Sequence, residues 1–306
     1  MNISTYTKWQ RRDTGLTARI ALSFAILGLL YTVFLSVLVY VGLDFISITI
    51  IASIMIVAQW YFSDRLVLLV SGAKKVGREQ FPELHDMVER IIARNNLPKP
   101  QIAVINTKMP NAFATGRSPK SSVVAVTTGL IDLLDPEELE GVLAHELTHI
   151  RNRDVLVLTL ASLFSTVAWY LMQFGFYGGG MGYGYGGRDD NHSNNAGAMI
   201  IIIVVAMLTW LLSLLIIRAI SRYREFTADR GAAQMTGKPV KLANALMKIS
   251  GSMRQIPTKD LRHVESLNAF FIIPALSRST IGNLFSTHPP VEKRVKKLIE
   301  MEASMS

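Results

Sequence analysis

Charge-free apolar runs extend from Ile20 to Leu43, from Phe45 to Ser63, from Val155 to Gly187 and from Ala196 to Ile217. A membrane-crossing helix needs roughly 20 apolar residues, at a rise of about 1.5 Å each, and every one of these runs meets that length without a charged face. The third closes in glycine-rich sequence, so its spanning part is expected over 155–177. The pattern therefore predicts four transmembrane helices, at about 20–43, 45–63, 155–177 and 196–217. The first follows Lys8, Arg11 and Arg12 but is longer than the apolar core of a signal peptide and carries no small-x-small cleavage site. It is expected to be a retained anchor.

Basic residues cluster on one side of the runs: Lys8, Arg11, Arg12 and Arg19; Arg65, Lys74, Lys75 and Arg78; Arg151 and Arg153; Arg218, Arg222 and Arg224; the opposite loops hold Asp44 and the stretch Arg188, Asp189 and Asp190. The positive-inside rule then places both termini in the cytoplasm of a multi-pass cell-membrane protein. The polar blocks at 64–154 and 218–306 fall on that same side. The expected organisation is an N-terminal segment and hairpin (1–63), a first cytoplasmic block (64–154), a second hairpin with a Gly/Tyr-rich exterior loop (155–217) and a second cytoplasmic block (218–306). His192, beside that loop, reads as a plain loop histidine.

Composition sharpens the picture. Half of the 306 residues are apolar and 18% are charged, which excludes collagen-like and disordered acidic chains. The net charge of +9 follows from the flanking clusters and suits an anionic lipid surface; no aromatic-basic motif accompanies it, so no nucleic-acid partner is expected. Without a cysteine there is no disulfide framework or thiolate site, and any metal must be held by His, Asp or Glu.

Within the polar blocks, Leu84, Met87, Val88, Ile91 and Ile92 recur at helical spacing and predict an amphipathic helix over 82–97. His85 and His263 read as surface residues. β-rich runs at 101–106 and 121–127 predict a small sheet. Asp135-Pro136-Glu137-Glu138 supplies an N-cap, a proline at the first helical position and a glutamate at the third, so a helix starts there.

That helix carries His145-Glu146-Leu147-Thr148-His149, an H-E-x-x-H pattern. Two histidines four apart lie about 40° apart on one face, so both rings can reach one ion while Glu146 flanks them. A catalytic zinc takes three protein ligands and leaves a fourth position for water. Glu225 stands just after the fourth run, as the H-E-x-x-H helix stands just before the third. A hairpin of those two runs makes Glu225 reachable. Asp229, one turn on, suits either an acceptor for the free ring N–H of a ligating histidine or a surface ion pair with Arg222 or Arg230.

These residues, with Arg224-Glu225-Phe226-Thr227-Ala228-Asp229, the run Pro110 to Gly116, and Thr287-His288-Pro289-Pro290, resemble the HtpX family of integral-membrane zinc metalloproteases. The prenyl-protein CAAX endopeptidases belong to the same broad family. The resemblance implies a mainly α membrane protein with a cytoplasmic α+β zincin-like domain. It implies one Zn²⁺ per chain on His145, His149 and Glu225, with Glu146 as catalytic base. It further implies an edge strand at Asn111, Ala112, Phe113 and Ala114 for an extended protein substrate, Arg294 among the substrate-binding residues, and His288 at the oxyanion. The expected activity is cleavage of unfolded or damaged membrane proteins in quality control. A non-proteolytic chaperone or scaffold with a structural zinc is the alternative, and it would need a fourth protein ligand.

Overall fold

The computed structural model describes residues 14–40, 45–154, 192–255 and 288–305, together with 157 and 169 singly. The expected third span, the Gly/Tyr-rich loop and His263 lie outside these, Val157 and Trp169 excepted. The described chain is mostly helical with one small mixed sheet, and it divides into two compact units. One comprises Met1–Thr17, Tyr61–Leu156 and Ser221–Ser306; the other comprises Ala18–Trp60 and Val157–Ile220.

The second unit is built from apolar helix. The first expected span falls in α1 (Thr14–Tyr40) and the second in α2 (Phe45–Ser71). The second helix does not stop at Asp64 and Arg65. Charge does not break a helix; Gly72, at φ +68, does. Leu22, Leu29, Ile46, Ile54 and Ile200 are all exposed, an outward apolar surface that water does not tolerate. Phe34 packs beside Ala206, and Leu27 and Tyr31 beside Ile220. Among the described residues, one helix is long and apolar enough to cross a membrane: the stretch Ile200–Thr236, of whose most apolar window only 17% is buried.

In the first unit, β1 (Lys74–Lys75), β2 (Gln101–Ile105), β3 (Ala112–Thr115) and β4 (Val123–Thr127) form a sheet in the order β1-β2-β4-β3. Strand β4 runs parallel to β2, with Gln101 opposite Val123, and antiparallel to β3, with Phe113 opposite Ala125. Every residue of β4 is buried, which explains its uninterrupted β-branched and small apolar sequence. Val124 and Val126 face a core with Leu143 and Leu147, whereas Val123 and Ala125 face Val67, Leu68 and Phe113. The sheet is thus covered on both faces, and β3 is one of its two edges.

The predicted amphipathic helix is α3 (Pro82–Asn95), ended by Asn96 at φ 51. His85 is not a surface residue. It shares the inner face of α3 with Leu84 and Val88, and its Nε2 lies 3.2 Å from the Val76 carbonyl oxygen. A short α4 (Thr128–Leu133) leads to α5 (Pro136–Asn152), which starts where the sequence predicts: the Asp135 N–H donates to Glu138 Oε2 at 3.0 Å.

Helix α6 (His192–Thr236) is the largest departure from expectation. It begins at His192, which is therefore helical and not in a loop, and the helix runs unbroken past Ile217 until Gly237 at φ +68. The apolar run and the polar Ser221–Asp229 segment belong to one continuous helix. Helices α7 (Pro239–Gln255) and α8 (Val291–Met305) complete the described chain.

Candidate metal centre

Helix α5 presents His145 and His149 one turn apart, and their Nε2 atoms approach to 3.1 Å. The His145 Nδ1 lies 3.0 Å from Asp229 Oδ1, and the His149 Nδ1 lies 2.5 Å from Asp154 Oδ2. An ionised carboxylate only accepts, so in the neutral rings each Nδ1 carries the hydrogen and each Nε2 keeps its lone pair. Glu225, on α6, brings Oε2 to 3.5 Å from one Nε2 and Oε1 to 3.6 Å from the other. One donor atom from each of the three residues lies within 4.8 Å of the other two.

Converging lone pairs repel unless a positive charge stands among them. Burial alone would lower the His145 pKa, yet hydrogen bonds to Asp229 and Glu225 prevail and push it up to about 9. The site attracts positive charge strongly enough to overcome burial, and two imidazoles with one carboxylate are the donor set that zinc takes. The residues fit a metal ion.

Close approach of α5 and α6 makes this possible. At Gly231 a Cβ would stand 2.3 Å from Thr148 Cγ2, so only glycine lets the two helices meet here. Glu225 and Asp229 precede Gly231 on α6, and His145 and His149 flank Thr148 on α5.

Each carboxylate that holds a ring is itself held by an arginine. Arg294 grips Asp229 through two hydrogen bonds, Nη2 to Oδ1 at 2.6 Å and Nε to Oδ2 at 2.8 Å, and its Nη1 lies 3.3 Å from Glu225 Oε2. Arg224 Nε lies 3.1 Å from Asp154 Oδ2. Burial would raise the Asp154 carboxyl pKa, but the charge of Arg224 and the bond to His149 keep it below its ordinary value. His288 places Nδ1 3.1 Å from Glu225 Oε2.

Glu146 is buried beside the rings, and desolvation raises its pKa above that of a free glutamate. The backbone N–H of Ala114 donates to it. The edge strand β3 therefore passes directly beside this carboxylate. Asn111, just before β3, is differently placed: its N–H donates to Thr127 Oγ1, and its C=O accepts the Thr127 N–H, both at 2.9 Å. By antiparallel alternation from that pair, Ala112 and Ala114 turn their main-chain groups away from β4, and Phe113 turns its own toward it.

The structure thus brings together His145, Glu146, His149, Glu225, Asp229, His288 and the 112–114 strand. Arg294, grouped in the sequence reading with substrate-binding residues, is 1% exposed and faces Asp229 and Glu225. A side chain so enclosed and doubly bonded is committed to the acids around it. Asp154 and Arg224 were not legible. Asp154 lies five residues past His149, off the helix face that periodicity reads, and only the shape of the helix end brings it back.

A family model, "Peptidase family M48", matches residues 78–302. The chain belongs to this family. It is 54% identical to a "Protease HtpX homolog" of Moorella thermoacetica over 96% of both chains, and 50% identical to a "Protease HtpX homolog 2" of Methanosarcina mazei over 98% of this chain and 99% of that one. A "Protease HtpX homolog 1" of Streptomyces coelicolor is 44% identical, over 94% and 93%. In fold the chain is similar to a crystal structure of S. mikatae Ste24p, with a TM-score of 0.56 at 19% identity; it covers 91% of this chain and 64% of that one. Membership makes the protein a metallopeptidase that hydrolyses peptide bonds, acting on protein or peptide substrates. The apolar helix fits a membrane protein.

Proposed function

We propose that the protein is a zinc-dependent membrane endopeptidase that cleaves unfolded or damaged proteins in quality control, with Glu146 as general base. The observation that carries this reading is the convergence of His145, His149 and Glu225 beside a buried glutamate and the edge strand β3. Among the described residues the ligand group has three members, the number of a catalytic site; a structural zinc takes four.

When bound, zinc supplies Lewis acidity toward a water and toward the scissile carbonyl, bringing the water's pKa down to about 7. The chain's own residues do the rest. The main-chain groups of Ala112 and the carbonyl of Ala114 hold an extended substrate by hydrogen bonds, a mode that grips any sequence and suits unfolded polypeptide. Glu146, with its raised pKa, takes the proton of the attacking water and passes it to the departing amine. His288 donates to the developing oxyanion. Asp229, anchored by Arg294, keeps His145 in the tautomer whose Nε2 can ligate.

The four apolar runs act as four spans, with termini and active site in the cytoplasm, and the segments 64–154 and 218–306 form one protease domain. The test is metal analysis of detergent-purified protein alongside degradation of casein, before and after treatment with a chelator. Stoichiometric zinc, loss of cleavage on chelation and its return with Zn²⁺ are expected. Cleavage that survives complete metal removal, or zinc uptake without any cleavage, overturns the reading.

A further inference from the structure

We propose that Asp154 is a positioning residue, the group that fixes the tautomer and angle of the second ligating ring, and that the left-handed turn at Arg153 exists to deliver it. This rests on the metal reading above.

The geometry of the helix end is the argument. On an uninterrupted α-helix, the fifth residue after His149 would project about 140° around the axis from it, out of reach. Helix α5 instead ends at Arg153, whose φ of 57° and ψ of 40° are left-handed, with its N–H turned back to the His149 and Ile150 carbonyls. That single reversal folds Asp154 under the last turn and brings Oδ2 to 2.5 Å from His149 Nδ1. A non-glycine residue in this conformation is strained, and the contact it creates between Asp154 and His149 offsets that strain.

Asp154 is only 4% exposed. A carboxylate is not buried without compensation, and here it has two partners: the ring it orients and Arg224 on α6. The arrangement repeats the one on the other ring. His145, Asp229 and Arg294 form one chain of ring, acid and guanidinium; His149, Asp154 and Arg224 form the second. In both, the acid bonds Nδ1 and leaves the opposite nitrogen, Nε2, on the side of Glu225 as the atom that would ligate a metal. An acid so placed also makes the imidazole a stronger donor to a cation.

The experiment measures the zinc dissociation constant of the full-length, detergent-solubilised protein by competition with a chromophoric chelator, and checks the fold by circular dichroism. Asp154→Ala is expected to bind Zn²⁺ roughly 10–100-fold more weakly than native. Asp154→Asn, which can still accept from Nδ1–H, should fall between. With Co²⁺ in place of zinc, Asp154→Ala should shift the visible absorption bands, because the ring's angle to the ion changes. Arg153→Gly should keep native affinity, since glycine adopts this conformation freely, whereas Arg153→Val should lose affinity as Asp154→Ala does. Should Asp154→Ala not fold, the Arg153 pair decides. Native affinity in Asp154→Ala or in Arg153→Val overturns the assignment. Native protein that takes up no zinc overturns the metal reading itself.

Discussion

Gly231 on α6 lies so close to Thr148 on α5 that the smallest possible side chain would overlap the Thr148 methyl, at 2.3 Å, and hydroxyl, at 2.6 Å. The two helices carry the three proposed ligands, so their separation sets the size of the ion cage. Gly231→Ala is expected to destabilise the protein by about 1–3 kcal/mol, the usual range for overpacking, and to weaken zinc binding. Pairing it with Thr148→Ala should restore much of both. A thermal melt of the single variant that matches native would show that the contact has no such role.

Glu146→Gln keeps the shape of the side chain and removes the base. Zinc content should stay at one per chain while casein cleavage falls by roughly 10²–10⁴-fold, the share general acid–base catalysis supplies. Turnover within threefold of native would assign the proton transfer to another group.

Arg294 is buried between two acids, and its fork matches Asp229 in two bonds. Arg294→Met should leave Asp229 as an uncompensated buried charge and cost about 3–5 kcal/mol of stability. Arg294→Lys keeps the charge without the planar fork and should recover only part of it. Chemical denaturation of the three proteins orders them; a lysine variant as stable as native would mean that the charge alone suffices.

At the start of α5, Glu137 meets Lys238 and Lys241, which together hold its carboxyl at about 2, below its ordinary 4.5. A folded pKa below the unfolded one stabilises above about pH 4.5, and this stabilisation fades as pH falls toward 2. Glu137→Gln should therefore melt slightly below native at neutral pH, with the gap closing as the solution is acidified. The group is solvent-exposed, so high salt should close it too. A melting difference that grows on acidification would contradict the pairing.

Features written in local periodicity were legible from the sequence: the apolar runs, the amphipathic α3, the start of α5, and the two histidines with Glu146 between them. Glu225 needed topology as well, since nothing in its neighbourhood announces a partner so far away in the chain. For Asp229, spacing left two roles open, and burial against Arg294 and His145 decides for the ring. Asp154 was hidden because its place depends on one backbone dihedral at Arg153, with no glycine to flag the turn. His85 was read as exposed because histidine is polar, but the buried face of α3 and a carbonyl acceptor accommodate it.

The ring–acid–guanidinium chain at His145 closes only through Arg294 on α8, a residue 65 positions beyond Asp229. A nascent polypeptide already contains its histidines and both neighbouring acids long before position 294 is made. Until then Asp229 has no arginine fork, and the cage around the ion has no fixed wall. The two bonds to Asp229 thus tie completion of this wall to the docking of α8.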